Sequence, residues 1–201
     1  MGRMSTKYRV QNPKNNEIVE SFDFITGDEL ETALATANDT FKQWREKSFE
    51  ERAEVLRKVA KLFDEQRAEL TRIIAEEMGK SVKEGDGEIN DVVEIFNYYA
   101  DNGAEFGADE EIPNQRGGTS VMRKVPLGVI LGIMPWNFPY YQVARFAAPA
   151  LMAGNVVMVK HAEICPRSAA AIAKIFDEAG APKGLYTCLL YTSDAADERS
   201  S

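Results

Sequence analysis

Between residues 125 and 163 the sequence reads Val-Pro-Leu-Gly-Val-Ile-Leu-Gly-Ile-Met-Pro-Trp-Asn-Phe-Pro, then an alanine-rich segment, then Gly-Asn-Val-Val-Met-Val-Lys-His-Ala-Glu. Two short runs in it, 129–133 and 156–159, are rich in β-branched residues and lack polar alternation, the pattern of strands buried on both faces. The intervening 138–153 has the length and the Ala/Leu/Met content of a crossover helix, with Pro149 expected to kink or shorten it. Strand, helix and strand in that order predict a βαβ unit. Ligands of open α/β sheets sit outside the carboxyl ends of the strands. The residues that follow the two runs are therefore the candidates for chemistry: Trp136 and Asn137 after the first, Lys160 to Glu163 after the second.

The rest of the chain supplies what such a unit packs against. Segments 7–10 and 17–24 are β-rich around Asn12-Pro13-Lys14-Asn15-Asn16, which predicts an opening hairpin. Thr26 with Glu29, and Ser48 with Glu51, are capping boxes that start helices. In the first helix Leu30, Ala33, Leu34, Ala37, Phe41 and Trp44 share a face; in the second Ala53, Leu56, Val59, Ala60 and Phe63 do. A third helix is expected over 65–78 with Gly79 as a left-handed cap, and a fourth carries Ile89, Val92, Val93 and Phe96 as its stripe. These stripes read as core against a sheet rather than as partner surfaces. Residues 104–118, acidic and glycine-bearing, read as a loop, and 119–124 as a strand with no obvious neighbour. Beyond the βαβ unit, Pro166 opens a helix that Gly180 and Pro182 close, and 184–187 begin a third strand that is not completed.

Composition narrows the partners. The 201 residues, 44% hydrophobic and 28% charged, have the make-up of a globular protein with a sizeable core. A net charge of -8 argues against nucleic acid or an anionic membrane. The longest apolar run, 125–133, is broken by Pro126, Gly128 and Gly132 and falls well short of the ~20 residues that a membrane span needs. No charged-then-apolar leader pattern opens the sequence, so a cytoplasmic location is expected. Residues 2–6 formally fit a myristoylation pattern, but a start upstream of Met4 accounts for them. Two cysteines, Cys165 and Cys188, offer neither a disulfide framework nor metal-ligand spacing, so no metal is expected.

Pro135-Trp136-Asn137-Phe138-Pro139, followed by Lys160-His161-Ala162-Glu163, resembles the aldehyde dehydrogenase superfamily, and the likeness runs over about 8–187. It implies an α/β fold: a truncated Rossmann-like parallel sheet with N-terminal helices and a protruding β-arm. Carried onto this chain, it gives a hairpin and helices of the cofactor domain over 1–107, and the βαβα part of that domain over 127–187. The arm falls at 108–126 and would pair with another subunit in a homo-oligomer. The implied chemistry is oxidation of a small-molecule aldehyde with NAD(P). A cysteine thiolate forms a thiohemiacetal, hydride passes to the nicotinamide, and carboxylate-activated water hydrolyses the thioester. In that scheme Asn137 is the oxyanion donor, and Lys160 and Glu163 contact the adenosine ribose. Trp136, His161 and Ala162 add backbone or packing contacts near the cofactor. Glu163 would repel a 2′-phosphate, which favours NAD, with NADP as the alternative. No Gly-x-Gly-x-x-Gly occurs, so the cofactor reading rests on these strand-end residues.

Two site residues carry a second reading. Asn137 also suits the N-cap of a helix starting at 138, and the flanking Pro-Trp and Phe-Pro decide for the oxyanion role. Arg145 follows Asn137 by eight residues in an apolar segment, so on one helix the two share a face. A guanidinium there wants an anion. Lys-His-Ala and Arg145 together look most like the succinic-semialdehyde branch, where the arginine binds the substrate's distal carboxylate; a salt bridge within the chain would satisfy it equally. Neither cysteine fits the nucleophile. Cys165, beside Pro166, reads as a buried thiol, and Cys188 opens a string over 188–201 that reads like a translated sequencing adaptor. The nucleophile, the water-activating glutamate and a pyrophosphate loop are expected downstream, so the chain reads as the front of an enzyme and inactive alone. The alternative is a non-catalytic nucleotide-binding or oligomerisation module.

Overall fold

The computed structural model describes residues 7–115 and 117–190, so the myristoylation-like 2–6 and the adaptor-like 191–201 lie outside the described residues. The opening hairpin pairs β1 (Lys7–Gln11) with β2 (Ile18–Asp23), Tyr8 opposite Phe22. Asn12 closes its turn twice over. Its Oδ1 accepts Lys14 N at 2.9 Å and its carbonyl accepts Asn16 N at 2.8 Å, with Asn16 left-handed at φ 61°.

Four helices follow: α1 (Gly27–Trp44), α2 (Phe49–Glu65), α3 (Arg67–Met78) and α4 (Val82–Phe106). Both expected capping boxes form, and a third, Ser81 with Glu84, starts α4. Gly79 ends α3 at φ 75°, as its position predicts. α4 runs further than its stripe suggests, through 104–106, which the sequence marks as loop. Phe106 supplies the reason, closing on Tyr98 and Tyr99 with ring centroids 5.8 and 6.2 Å away. The acidic stretch also holds the neighbour that 119–124 lacked: β3 (Glu110–Ile112) pairs antiparallel with β4 (Ser120–Met122). Arg123 and Lys124 reach across to Asp109 and Glu110 at its base. Such exposed, solvent-screened pairs add little, so the two-stranded ladder itself defines the arm.

The central unit is parallel. β5 (Val129–Ile133), α5 (Tyr141–Met152), β6 (Val156–Lys160), α6 (Pro166–Glu178) and β7 (Tyr186–Leu189) build a three-stranded sheet in the order β5-β6-β7. Three expectations need correction. β6 is buried as predicted, but β5 is not: Leu131 is 58% and Ile133 64% exposed, because they share one face of this edge strand and that face is left uncovered among the described residues. α5 starts at Tyr141 rather than at 138, and Pro149 falls in its last turn, where the helix ends anyway at Met152. β7 continues to Leu189, so Cys188 and Leu189 complete a strand in register with Val159 and Lys160.

The core lies between this sheet and the helices. Phe63, Phe96, Phe176 and Tyr186 form a run of rings at 6.0, 6.1 and 4.5 Å that ties α2, α4 and α6 to β7. Trp44 adds a polar tie from α1, its Nε1 donating to Leu151 O at 2.9 Å. No helix of the described residues is long and apolar enough to cross a membrane.

Candidate functional site

Parallel register brings the two strand ends together. Ile133 pairs with Lys160, and the next amide, Met134 N, donates to Lys160 O at 3.0 Å. Cys165 Sγ donates to Trp136 O at 3.7 Å, joining the turns that follow the two strands. Trp136, 54% exposed, shares with Glu163 a cleft of about 420 Å³ whose lining also includes Tyr8 and Arg9 of the hairpin and Glu77 of α3. Asn137, Lys160 and Arg145 do not line that cleft.

Asn137 lies exposed in the turn before α5. It is not the N-cap. That place belongs to Tyr140, which makes no side-chain cap bond. The leading amides of Tyr140 and Tyr141 donate instead to Glu88 Oε1, at 2.8 and 3.1 Å. Among the described residues the exposed Asn137 carboxamide makes no hydrogen bond, so its donors are not committed within the protein. The helical-spacing argument linking 137 to 145 does not hold, since only Arg145 is on α5. Arg145 is exposed, its Cζ 5.4 Å from the Tyr141 ring centroid. Among the described residues no carboxylate pairs with it, so the salt-bridge reading is not realised there.

The second strand end is divided between outside and inside. Lys160 and Ala162 are half-buried and Glu163 is exposed, while the His161 side chain turns inward. Its Nε2 lies 2.8 Å from Tyr186 Oη, and its carbonyl accepts the Tyr8 hydroxyl at 3.2 Å. Burial, aided by the neighbouring Lys160 charge, lowers its pKa to about 3, so the ring stays neutral and packs. Burial also pushes the Cys165 thiol far up and the Cys188 thiol up to about 12. Burial thus favours the neutral thiol at both positions, the opposite of what a thiolate nucleophile needs.

Sequence reasoning missed two glutamates beneath these turns. Glu77, 3% exposed, accepts Arg167 N and both Ser168 N and Ser168 Oγ, capping α6 from α3. Burial outweighs those bonds and lifts its pKa to about 7. Glu88, 1% exposed, caps α5 from α4 and takes a buried ion pair from Lys80. The available signal is phase: Glu88 recurs with Val92 and Phe96 at helical spacing, on the buried stripe of α4.

The family model described as the aldehyde dehydrogenase family matches residues 2–199. The chain belongs to the aldehyde dehydrogenase family. That match extends past residue 187, where the motif-based likeness was expected to stop. Within the family, an NADP(+) succinate-semialdehyde dehydrogenase of Deinococcus radiodurans is 41% identical over 187 residues, 93% of this chain and 39% of the relative. A probable NADP(+) succinate-semialdehyde dehydrogenase of Synechocystis is also 41% identical, over 93% of this chain and 41% of its own length. Among solved aldehyde dehydrogenase structures, the succinic semialdehyde dehydrogenase of Streptococcus pyogenes in complex with NADP+ superposes with a TM-score of 0.90 at 36% identity, covering 96% of this chain and 42% of that one. A betaine aldehyde dehydrogenase of Staphylococcus aureus in complex with NAD+ gives 0.86 at 28% identity, covering 93% and 38%. The chain thus spans about two-fifths of the length of these aldehyde dehydrogenases.

Proposed function

We propose that this chain supplies the cofactor-side half-site of an enzyme that oxidises succinic semialdehyde to succinate with a nicotinamide dinucleotide. The observation that carries the reading is the in-register pairing of Ile133 with Lys160, which sets Asn137 and the Lys160–Glu163 turn at one end of one sheet. The bound dinucleotide would accept the hydride. Asn137 would donate to the oxygen on which charge develops, a contribution worth ~3 kcal/mol for one such donor. Lys160 and Glu163 would hold ribose hydroxyls, with Trp136, His161 and Ala162 shaping the turns around them. The thiolate that the thiohemiacetal route requires is neither Cys165 nor Cys188.

Substrate choice rests on Arg145. It is exposed, unpaired among the described residues and beside the Asn137 turn, and the relatives are succinate-semialdehyde dehydrogenases by name. A fork of N–H donors suits a carboxylate that an uncharged aldehyde lacks. In the full-length gene product, Arg145→Ala should lower kcat/KM for succinic semialdehyde by about 10- to 100-fold, the weight of a charged hydrogen bond, and leave propanal nearly unchanged. Equal effects on both aldehydes would remove the carboxylate assignment. The exposed Ile112, Val121 and Met122 of the arm support its pairing with a second subunit, which would make the full-length protein a homo-oligomer.

A further inference from the structure

Asn137 and Arg145 gain their positions from residues that sequence spacing does not connect to them. Glu88 Oε1 holds the amides of Tyr140 and Tyr141, and its Oε2 accepts Lys80 Nζ. Both side chains of that pair are nearly sealed, 7% exposed for Lys80 and 0% for Glu88. The same ammonium lies 3.7 Å from the centroid of the Phe138 ring. Phe138 meets Tyr141 edge-on at 5.8 Å, and Tyr141 in turn lies under the Arg145 guanidinium at 5.4 Å. Asn137 sits between Trp136 and Phe138 with no hydrogen bond of its own among the described residues. Its placement is therefore set by the fixed points on either side.

We propose that Lys80 and Glu88 are positioning residues for the site: their buried pair pins Phe138 and the first turn of α5, and so holds the Asn137 carboxamide and the Arg145 guanidinium in one relation. The inference rests on the dehydrogenase reading of Asn137. It adds that the turn, tied to the sheet side through Trp136 O, is held on its other side from the α3–α4 junction. Removing one charge strands the other in the interior. The informative variant is thus the pair Lys80→Met with Glu88→Gln, which removes both charges and keeps a carbonyl for the two amides. Lys80→Arg serves as the conservative rescue, and Lys83→Met, at an exposed position of α4, as a control.

In the full-length gene product the double variant should lose roughly 10- to 100-fold in kcat toward both succinic semialdehyde and propanal, as a misplaced catalytic group does. The KM for the dinucleotide should stay within about threefold, since a transition-state contact is what is lost. Hydrogen–deuterium exchange should speed up over 134–141, Lys80→Arg should recover part of the loss, and Lys83→Met should show none. A folded double variant with wild-type kcat and unchanged exchange over 134–141 would overturn the proposal. A wild-type protein that oxidises no aldehyde, with exchange over 134–141 still faster in the double variant, would defeat the dehydrogenase reading and leave the positioning role standing.

Discussion

Glu163 stands exposed three residues beyond Lys160, the last residue of β6; on the dehydrogenase reading its carboxylate would accept from ribose hydroxyls and repel a 2′-phosphate. The relatives carry NADP(+) in their names, so the two lines point opposite ways for this chain. Glu163→Ser in the full-length protein should shift the ratio of kcat/KM for NADP over NAD upward by about tenfold, the equivalent of ~1.4 kcal/mol. An unchanged ratio would take Glu163 out of cofactor choice. Glu77 makes a second prediction. Its folded-state pKa of about 7 lies above the ordinary 4.5, so the folded form binds the proton more tightly than the unfolded chain. Its stabilising contribution is complete below about 4.5 and is lost as pH rises to about 7, a span on the order of 3 kcal/mol. Glu77→Gln should flatten the dependence of melting temperature on pH in that window. At this scale the sequence was legible where chemistry is local: Cys165 beside Pro166 is the buried thiol it looked like, and His161 is a packing residue. It was not legible for Glu77 and Glu88, which cap amides as far as 91 and 53 residues away.

Helix starts were the most readable elements, because a capping box is completed within four residues. Helix ends and the arm were less so. Phe106 extends α4 through a contact with Tyr98 and Tyr99, while β3 exists only because β4 is there to pair with it. The start of α5 was misplaced for the same reason, since its cap comes from α4. The end of α5 has a requirement of its own. Gly154 sits at φ +94°, and a Cβ there would lie 2.5 Å from Arg52 Nη1 and 3.4 Å from Pro126. Gly154→Ala should therefore cost about 1–3 kcal/mol in chemical denaturation. Gly27→Ala, where nothing lies within 4 Å and φ is ordinary, should be neutral or mildly stabilising. No loss at Gly154 would show that the α5–β6 turn tolerates a side chain.

On the scale of the molecule, the parallel pairing of β5 with β6 followed from one segment, but its exposure did not. A β-branched run without polar alternation says that both faces are apolar, not that both are covered. Leu131 and Ile133 of β5, with Leu127 at 89% exposure, present such a surface on a strand that, among the described residues, pairs along one edge only. The 201-residue chain expressed by itself should self-associate or bind a hydrophobic dye, and Leu131→Lys with Ile133→Lys should reduce both. A monodisperse monomer with one sharp thermal transition would contradict this.

The two glutamate caps carry a consequence for phosphate. Doubly wound proteins commonly seat a pyrophosphate on the bare leading N–H groups of a helix. Here the first turn of α6 offers a proline and two amides already given to Glu77, and α5 has given two to Glu88. An incoming phosphate would meet a carboxylate at either doorway. A dinucleotide bound at these strand ends would need donors outside the two helix starts for its anionic middle, and the strand-end turns would be left to grip only its sugar.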